Sequence, residues 1–424
     1  MYILYSVLLS LGFLFALPYF LIKGLRQGKY FSNFFERLGN LPPEVRQGTP
    51  GALWIHAVSV GESNAITVLV EQIRGRIGSR KIVISTTTQT GQKNARERIR
   101  GADGFFYFPL DWRWSDRRSL NRVRPALVCL AETEIWPNFV NEAHRQGIRL
   151  AVINGRISER SYRRYNRFHR FFSPLLKNID VFLMQTDQDA ERVLQLGAVP
   201  DRVKILGNLK YDFALKIDQN HTADDVRERF LKNSRDPVWV AGSTAEGEEE
   251  LVIDSFRELK FRIPNLRLIL APRKPERFSI VAEALTRSGL SFLRRSQLGA
   301  DAPSSDVLLL DSMGELSDVY GLARVAFVGG SLVPRGGHNI LEPSAYHVPV
   351  VFGPHMFNFS SMADEFLAKG AAIQVEDGKG LTRAMARLLE NPQEAQSMGD
   401  QGRNLVTASS GATARTVEEI LRLL

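Results

Sequence analysis

The stretch Val325–Pro354 reads VAFVGGSLVPRGGHNILEPSAYHVPVVFGP. An apolar run, Val325–Val328, breaks at Gly329-Gly330, and a glycine-rich loop holding Gly336, Gly337 and His338 follows. A helix carrying Asn339 and Glu342 is expected next, then a second apolar run ending at Gly353-Pro354. This strand–loop–helix–strand order is half of a nucleotide-binding α/β domain. Open α/β sheets bind ligands beyond the carboxyl ends of their strands. Glycines let backbone N–H groups approach a phosphate, and a helix N-terminus adds favourable dipole charge. One or two glycines would be turn punctuation. Four of them with His338, Asn339 and Glu342 within fourteen residues point to a ligand, so a nucleotide-linked donor is expected here.

The same alternation extends outward. Upstream of the stretch, apolar runs at Val238–Ala241, Leu266–Ala271 and Val307–Leu310 read as strands, and Val348–Phe352 continues them. An earlier series has strands at Leu53–Val58, Lys81–Ser85, Phe105–Phe108, Ala126–Leu130, Leu150–Asn154 and Val181–Gln185, with helical patterns between. Strands alternating with helices imply parallel, doubly wound sheets. A length of 424 residues suits two such domains. Tyr211–Arg235 is polar and weakly periodic, so the expected division is 23–210, a connection at 211–235, and 236–424. The two α/β domains are expected to face each other across a cleft. Ala412–Leu424 has the pattern of an amphipathic helix.

Composition narrows the partners. The net charge of +9 favours polyanions, whether nucleic acid, an anionic bilayer or a phosphorylated substrate. The basic residues scatter and no nucleic-acid-binding motif is present, which argues against nucleic acid. The single cysteine, Cys129, lies in an apolar run and excludes internal disulfides and a cysteine zinc site. The seven histidines form no His-x-x-x-His pair, so a catalytic zinc is not expected. Residues 1–22 carry no charged side chain, enough to span a hydrocarbon core, and Lys23, Arg26 and Lys29 follow. A cleaved signal peptide would need a basic start and a small-residue cleavage site, which are not evident. The expectation is an uncleaved anchor with the remainder cytoplasmic, although Pro18 leaves room for an interfacial helix. The stretch Lys23–Arg37, with Tyr30, Phe31, Phe34 and Phe35, would lie against the headgroups.

Several short motifs follow strand ends. In HAVSVGES (His56–Ser63), Glu62 sits in a tight glycine turn before a helix and is a candidate general base. The alternative is an acidic residue favoured by a helix dipole. In AETEIWPN (Ala131–Asn138), Glu132 and Glu134 alternate, so one of them faces the cleft if the strand continues. In GNLKYD (Gly207–Asp212), Lys210 can neutralise a departing phosphate or an acidic sugar. AGSTAEGEEE (Ala241–Glu250) resembles a P-loop only superficially, because Glu248 stands where the phosphate lysine belongs. Its Gly242, Ser243 and Thr244 still offer N–H and hydroxyl donors, as do Gly336, Gly337 and His338 in the later loop. In APRKPERF (Ala271–Phe278), Arg273 offers a fork for phosphate or carboxylate. Asp187-Gln188-Asp189 has metal-like spacing but precedes a helix, where capping explains it.

Taken in order, HAVSVGES, TTTQTG, AETEIWPN, GNLKYD, GSTAEGEE, PRKPERF, MGEL and GGSLVPRGGHNILEP resemble the 3-deoxy-D-manno-octulosonic acid (Kdo) transferases. The resemblance runs from the apolar N-terminus almost to the C-terminus. It implies a GT-B glycosyltransferase with two Rossmann-like domains, moving Kdo from CMP-Kdo to a lipid A precursor at the cytoplasmic face of the inner membrane. It implies Glu62 as the base that deprotonates a glucosamine 6-hydroxyl, with Glu132 and Lys210 supporting the transition state. It also implies CMP contacts at Pro272-Arg273, at Met313-Gly314-Glu315, and at Asn339, Ile340, Leu341 and Glu342. No cofactor or metal ion is expected, with Arg273 and backbone N–H groups taking the place of a cation. The nearest alternative is a GT-B enzyme using a UDP-sugar on a lipid acceptor. A membrane-tethered polyanion-binding module is a more distant one, since it would not need both the Glu62 turn and a nucleotide loop.

Overall fold

The computed structural model describes residues 2–27, 33–46, 51–216 and 222–424. The chain divides into two compact units, one running to Phe213 and including Ser409–Leu424, the other Ala214–Ala408. The first holds seven parallel strands: β1 (Ala52–His56), β2 (Ile82–Thr86), β3 (Gly104–Tyr107), β4 (Pro125–Ala131), β5 (Arg149–Gly155), β6 (Val181–Met184) and β7 (Val203–Ile205). Their order is β3-β2-β1-β4-β5-β6-β7. Alternate residues serve opposite faces. Trp54, Val83 and Val128 join one core, whereas Leu53, Ile55, Ile84 and Cys129 join the other. Burial on both faces is why these strands read as continuous apolar runs rather than as alternation.

The second unit repeats the plan with β8 (Val238–Thr244), β9 (Arg267–Pro272), β10 (Phe292–Arg294), β11 (Val307–Leu309), β12 (Val325–Val328), β13 (Val350–Phe352) and β14 (Ala372–Gln374). The order is β10-β11-β9-β8-β12-β13-β14, again all parallel. Three of the fourteen strands, β7, β10 and β14, were not expected. Each has three residues at a sheet edge and is largely half-exposed. An edge strand has one neighbour and needs no long apolar run.

Two expected boundaries change. The helix Ala412–Leu423 belongs to the first unit, not to a 236–424 domain, because Ala412, Val417 and Ile420 pack in the core with Ile55 and Ile84. Asp212 pins its start, accepting from the Gly411 N–H, the Thr413 N–H and the Thr413 hydroxyl. The 211–235 stretch is not a bare connection. Its helix Thr222–Arg229 buries Val226, and Phe230 and Leu231 join the same core as Val238 and Val240. Three apolar residues on one face suffice for that, which is too few to register as periodicity. Residues 217–221 of this stretch lie outside the described residues.

The N-terminus forms one helix, α1 (Tyr2–Gln27). Among the described residues, no helix is long and apolar enough to cross a membrane, so the expected spanning anchor is not supported. Of the basic, aromatic stretch at 23–37, residues 28–32 lie outside the described residues.

Candidate active site

Strand order reverses between β1 and β4, and the two candidate carboxylates follow those strands. Such a switch point is where an open parallel sheet presents its crevice. Glu62 lies within the short helix Val60–Ala65 rather than in a turn. Its Oε2 accepts from the Val58 N–H at 2.8 Å and its Oε1 from the Ser59 hydroxyl at 2.9 Å. Both partners precede the helix, so this carboxylate ties the loop to the helix start, which does not exclude a second role. Only 8% of the residue is exposed. Burial foremost, then the charges of Glu132 and Glu134, push its carboxyl up to about 7, against the lowering effect of its two hydrogen bonds.

Glu132 stands just past β4 with a φ of 57°. A left-handed glutamate is strained, and such residues concentrate at functional sites. The twist ends the strand's alternation, so Glu132 and Glu134 need not face opposite ways, and both act on Glu62. Lys210 donates from Nζ to Glu132 Oε1 at 2.8 Å, with side-chain exposures of 17% and 24%. The lysine is the second residue of the helix Leu209–Leu215, whose start is tied to β5. There the Leu209 N–H donates to Asn154 Oδ1 at 3.0 Å. Glu62, Glu132 and Lys210 are thus brought together in one unit.

In the second unit the sheet reverses between β8 and β12, and the glycine loops follow both strands. Here a residue read as a missing lysine organises the loop. The buried Glu248 carboxylate accepts from the backbone N–H groups of Ala245, Gly330, Ser331 and Leu332 at 2.6–2.9 Å. Of these four, Gly330 belongs to the glycine run expected beside a phosphate, and an internal carboxylate holds its N–H instead. Gly242 likewise serves packing, since a Cβ there would lie 2.0 Å from the Tyr320 hydroxyl oxygen. Ser243 has a φ of 55°, and the Thr244 carbonyl accepts from the Arg273 N–H at 3.0 Å.

The other donor-side residues fall in the same unit. Burial, and then the Arg273 guanidinium, lower the His338 imidazole to about 4, so Arg273 lies close to a neutral histidine. Gly336 has a φ of 97°, a conformation that L side chains rarely adopt. The helix expected from Asn339 onward is only Leu341–Ser344, which leaves little dipole. Asn339 Oδ1 accepts from the Leu341 N–H, and its Nδ2 donates to Glu342 Oε1 at 3.2 Å. The Glu315 carboxylate is engaged by the Arg295 fork at 2.9 and 3.2 Å. Asp187-Gln188-Asp189 opens a helix capped by Thr186, with Asp189 accepting from the Ile157 N–H.

Residues 32–213 match the family described as 3-Deoxy-D-manno-octulosonic-acid transferase (kdotransferase). The 3-deoxy-D-manno-octulosonic acid transferase of Haemophilus influenzae is 33% identical over 403 residues, 94% of this chain and 92% of that protein. The chain belongs to the Kdo transferase family. Solved structures extend the likeness at the level of fold alone. The UDP-GlcNAc 2-epimerase from Neisseria meningitidis covers 88% of this family member at a TM-score of 0.60 and 14% identity. The glycotransferase of kitacinnamycin covers 88% at 0.55, also at 14% identity. Two parallel α/β sheets with GT-B-like neighbours are the architecture of this Kdo transferase family member.

Residues missed in the sequence share one property. Asn154, with a φ of 52° and 2% exposure, positions the start of the Lys210 helix from across a strand. The Glu249 carboxylate is wholly buried and holds Arg277 at 3.1 Å. The available signal was slight: Asn154-Gly155 at a strand end, and a run of three glutamates after a glycine.

Proposed function

We propose that this chain transfers Kdo from CMP-Kdo to a lipid A precursor, lipid IVA, with Glu62 as general base and without a divalent cation. The observation that carries the reading is the Glu62 carboxyl, buried beyond a strand end and pushed up to about 7. A general base works best when its proton affinity lies near the working pH. Family membership supports the donor, with the motifs at 272–273, 313–315 and 339–342 read as its contacts, and it suggests the acceptor.

In this reading the glucosamine 6-hydroxyl attacks the anomeric carbon of Kdo as its proton passes to Glu62. The bond from that carbon to the CMP phosphate oxygen breaks, and CMP departs with the electron pair. Lys210 holds Glu132 by an ion pair, and Glu132 in turn raises the proton affinity of Glu62. Arg273 and the backbone of the donor-side segments supply the positive field for the leaving phosphate. The charge of +9 suits a phosphorylated lipid acceptor and the anionic cytoplasmic face of the inner membrane, where this reading locates the enzyme.

The test is a transfer assay with CMP-Kdo and a tetraacylated lipid A precursor in excess EDTA, comparing the wild type with Glu62→Ala. Product from the wild type alone, unaffected by EDTA, is expected. Activity with UDP-sugars only would overturn the donor, and full activity of Glu62→Ala would remove the base.

A further inference from the structure

Exposure along α1 follows the helical period. Tyr2, Tyr5, Ser6, Leu9 and Phe13 are half-buried, whereas Leu4, Val7, Leu8, Leu11, Leu14 and Phe15 are 46–84% exposed. The inner stripe is fastened to the first unit by specific contacts. The Tyr5 hydroxyl donates to the buried Asp111 carboxylate at 2.8 Å, and Ser6 and Asn138 share hydrogen bonds at 3.0 and 3.2 Å. Tyr2 and Tyr5 lie against Phe171, and Phe13 meets the Trp112 ring edge-on at 5.0 Å.

These contacts bear on topology. Crossing a hydrocarbon core takes about 20 residues, and the uncharged ones end at Ile22. From Tyr2 to Phe13, about 16 Å of that length lies along the protein surface. Exposed arginines surround the residues that hold it. Arg113 and Arg117 follow Trp112, both beside Glu142, and Arg170 precedes Phe171, while Arg160, Arg163, Arg164 and Arg167 are exposed on the preceding helix Glu159–Arg167, where Arg163 pairs with Glu159. A perpendicular helix would carry this surface into hydrocarbon, where arginine is costly. Trp114 and Phe168 are also more than half exposed among these arginines. Arginine with exposed aromatic rings beside a continuous apolar helix face is the chemistry of an anionic bilayer surface.

We propose that α1 lies in the plane of the membrane, its Leu4, Val7, Leu8, Leu11, Leu14 and Phe15 face in the acyl region and the neighbouring arginines at anionic headgroups. The inference rests on the membrane location proposed above and concerns how the chain is held there. It also gives the contact a bearing on chemistry. Asn138, which Ser6 grips, lies in the first turn of the helix Pro137–Arg145, directly after the segment carrying Glu132 and Glu134. A lipid acceptor's headgroup would then be presented beside the candidate base.

The test uses the full chain, whose only native thiol, Cys129, is fully buried. Leu4→Cys, Leu8→Cys, Leu11→Cys and Phe15→Cys, one per variant, carry a fluorophore into phosphatidylethanolamine–phosphatidylglycerol vesicles holding nitroxide lipids at shallow and deep positions. The four sites are expected at one depth, within a few ångströms by the geometry of a helix lying flat. A ramp of about 16 Å from position 4 to position 15 would mean a spanning helix and overturn the proposal. Shielding of the labels without vesicles, together with dimerisation, would make a second copy the occupant and overturn it too. A chain that never binds vesicles would sink the membrane location itself, a separate result. Leu8→Glu is expected to weaken vesicle binding roughly tenfold or more while leaving the unfolding midpoint unchanged.

Discussion

Replacing Glu132 with glutamine should move the pH dependence of transfer toward lower pH. In the wild type the Glu62 carboxyl is raised to about 7 from the ordinary 4.5, which corresponds to about 3 kcal/mol against ionisation. Burial is the larger cause and survives the substitution, whereas the Glu132 charge does not. The ionisation limb should therefore fall between those two values. With a base at about 7, kcat/KM at pH 6 is roughly one-tenth of its plateau. If the limb drops below 6, that fraction rises above about one-half. The measurement is kcat/KM from pH 5.5 to 8.5 at constant ionic strength, where phosphates of the acceptor titrate identically for both enzymes. Lys210→Met supplies the opposite sign, because Glu132 loses its cation and its full charge bears on Glu62. Plateau heights should fall in both variants, so the position of the limb is the test. A limb that stays put in Glu132→Gln, or two variants that shift in the same direction, would refute the electrostatic account of the base.

The same ionisation enters stability. The folded carboxyl is raised above its unfolded value, so the wild type loses stability as pH climbs from 4.5 through about 7. Glu62→Gln escapes that loss while weakening the contacts to Val58 and Ser59. It should unfold at a higher temperature than wild type at pH 8, by an amount equivalent to less than about 3 kcal/mol, and show no advantage at pH 4.

Three further outcomes follow from the packing. Glu248→Gln should destabilise the second unit by about 3 kcal/mol in urea unfolding and weaken CMP binding in calorimetry, because an amide NH2 would face backbone N–H groups that now share a carboxylate. Gly242→Ala should cost about 1–3 kcal/mol, and adding Tyr320→Phe should restore part of it in a double-mutant cycle, since the new Cβ meets the hydroxyl first. Asp116 is fully buried and raised well above the usual carboxylate range by burial and by Asp111, so it is destabilising above its unfolded value. Asp116→Asn should therefore gain on wild type between pH 4 and pH 7, by about 1.4 kcal/mol for each pH unit over which folded and unfolded carboxyls differ. Equal midpoints at both pH values would rule this out.

What the sequence could reveal depended on how local each cause is. The interior strands were legible because burial on two faces demands an unbroken apolar run, as in Ala126–Leu130. That Glu62 follows the first strand was legible, whereas the burial of its carboxylate on Val58 and Ser59 was not. Glu248 was not, since its partners Gly330, Ser331 and Leu332 lie more than eighty positions away and no spacing rule joins them. Nor were the left-handed Glu132, Asn154 and Ser243, each at or near a strand's carboxyl end. Such a φ is imposed on a non-glycine residue by its surroundings, and of these three only asparagine is a residue type enriched there.

The N-terminus carries a local signal of a different kind. Twenty-two uncharged residues followed by lysine and arginine meet the length and flanking-charge expectations for an anchor. Composition counts residues without regard to which face they occupy. Tyr2, Tyr5 and Ser6 stand at the i, i+3 and i+4 positions of one stripe, and that stripe meets Asp111, Asn138 and Phe171. A helix bound for lipid on all sides has no reason to gather hydroxyl groups on one face, because each would lack a partner in hydrocarbon. Tyr2, Tyr5 and Ser6 are therefore informative residues in this run. They mark the side of α1 that faces protein, and the exposed leucine and phenylalanine side is the one proposed for the bilayer.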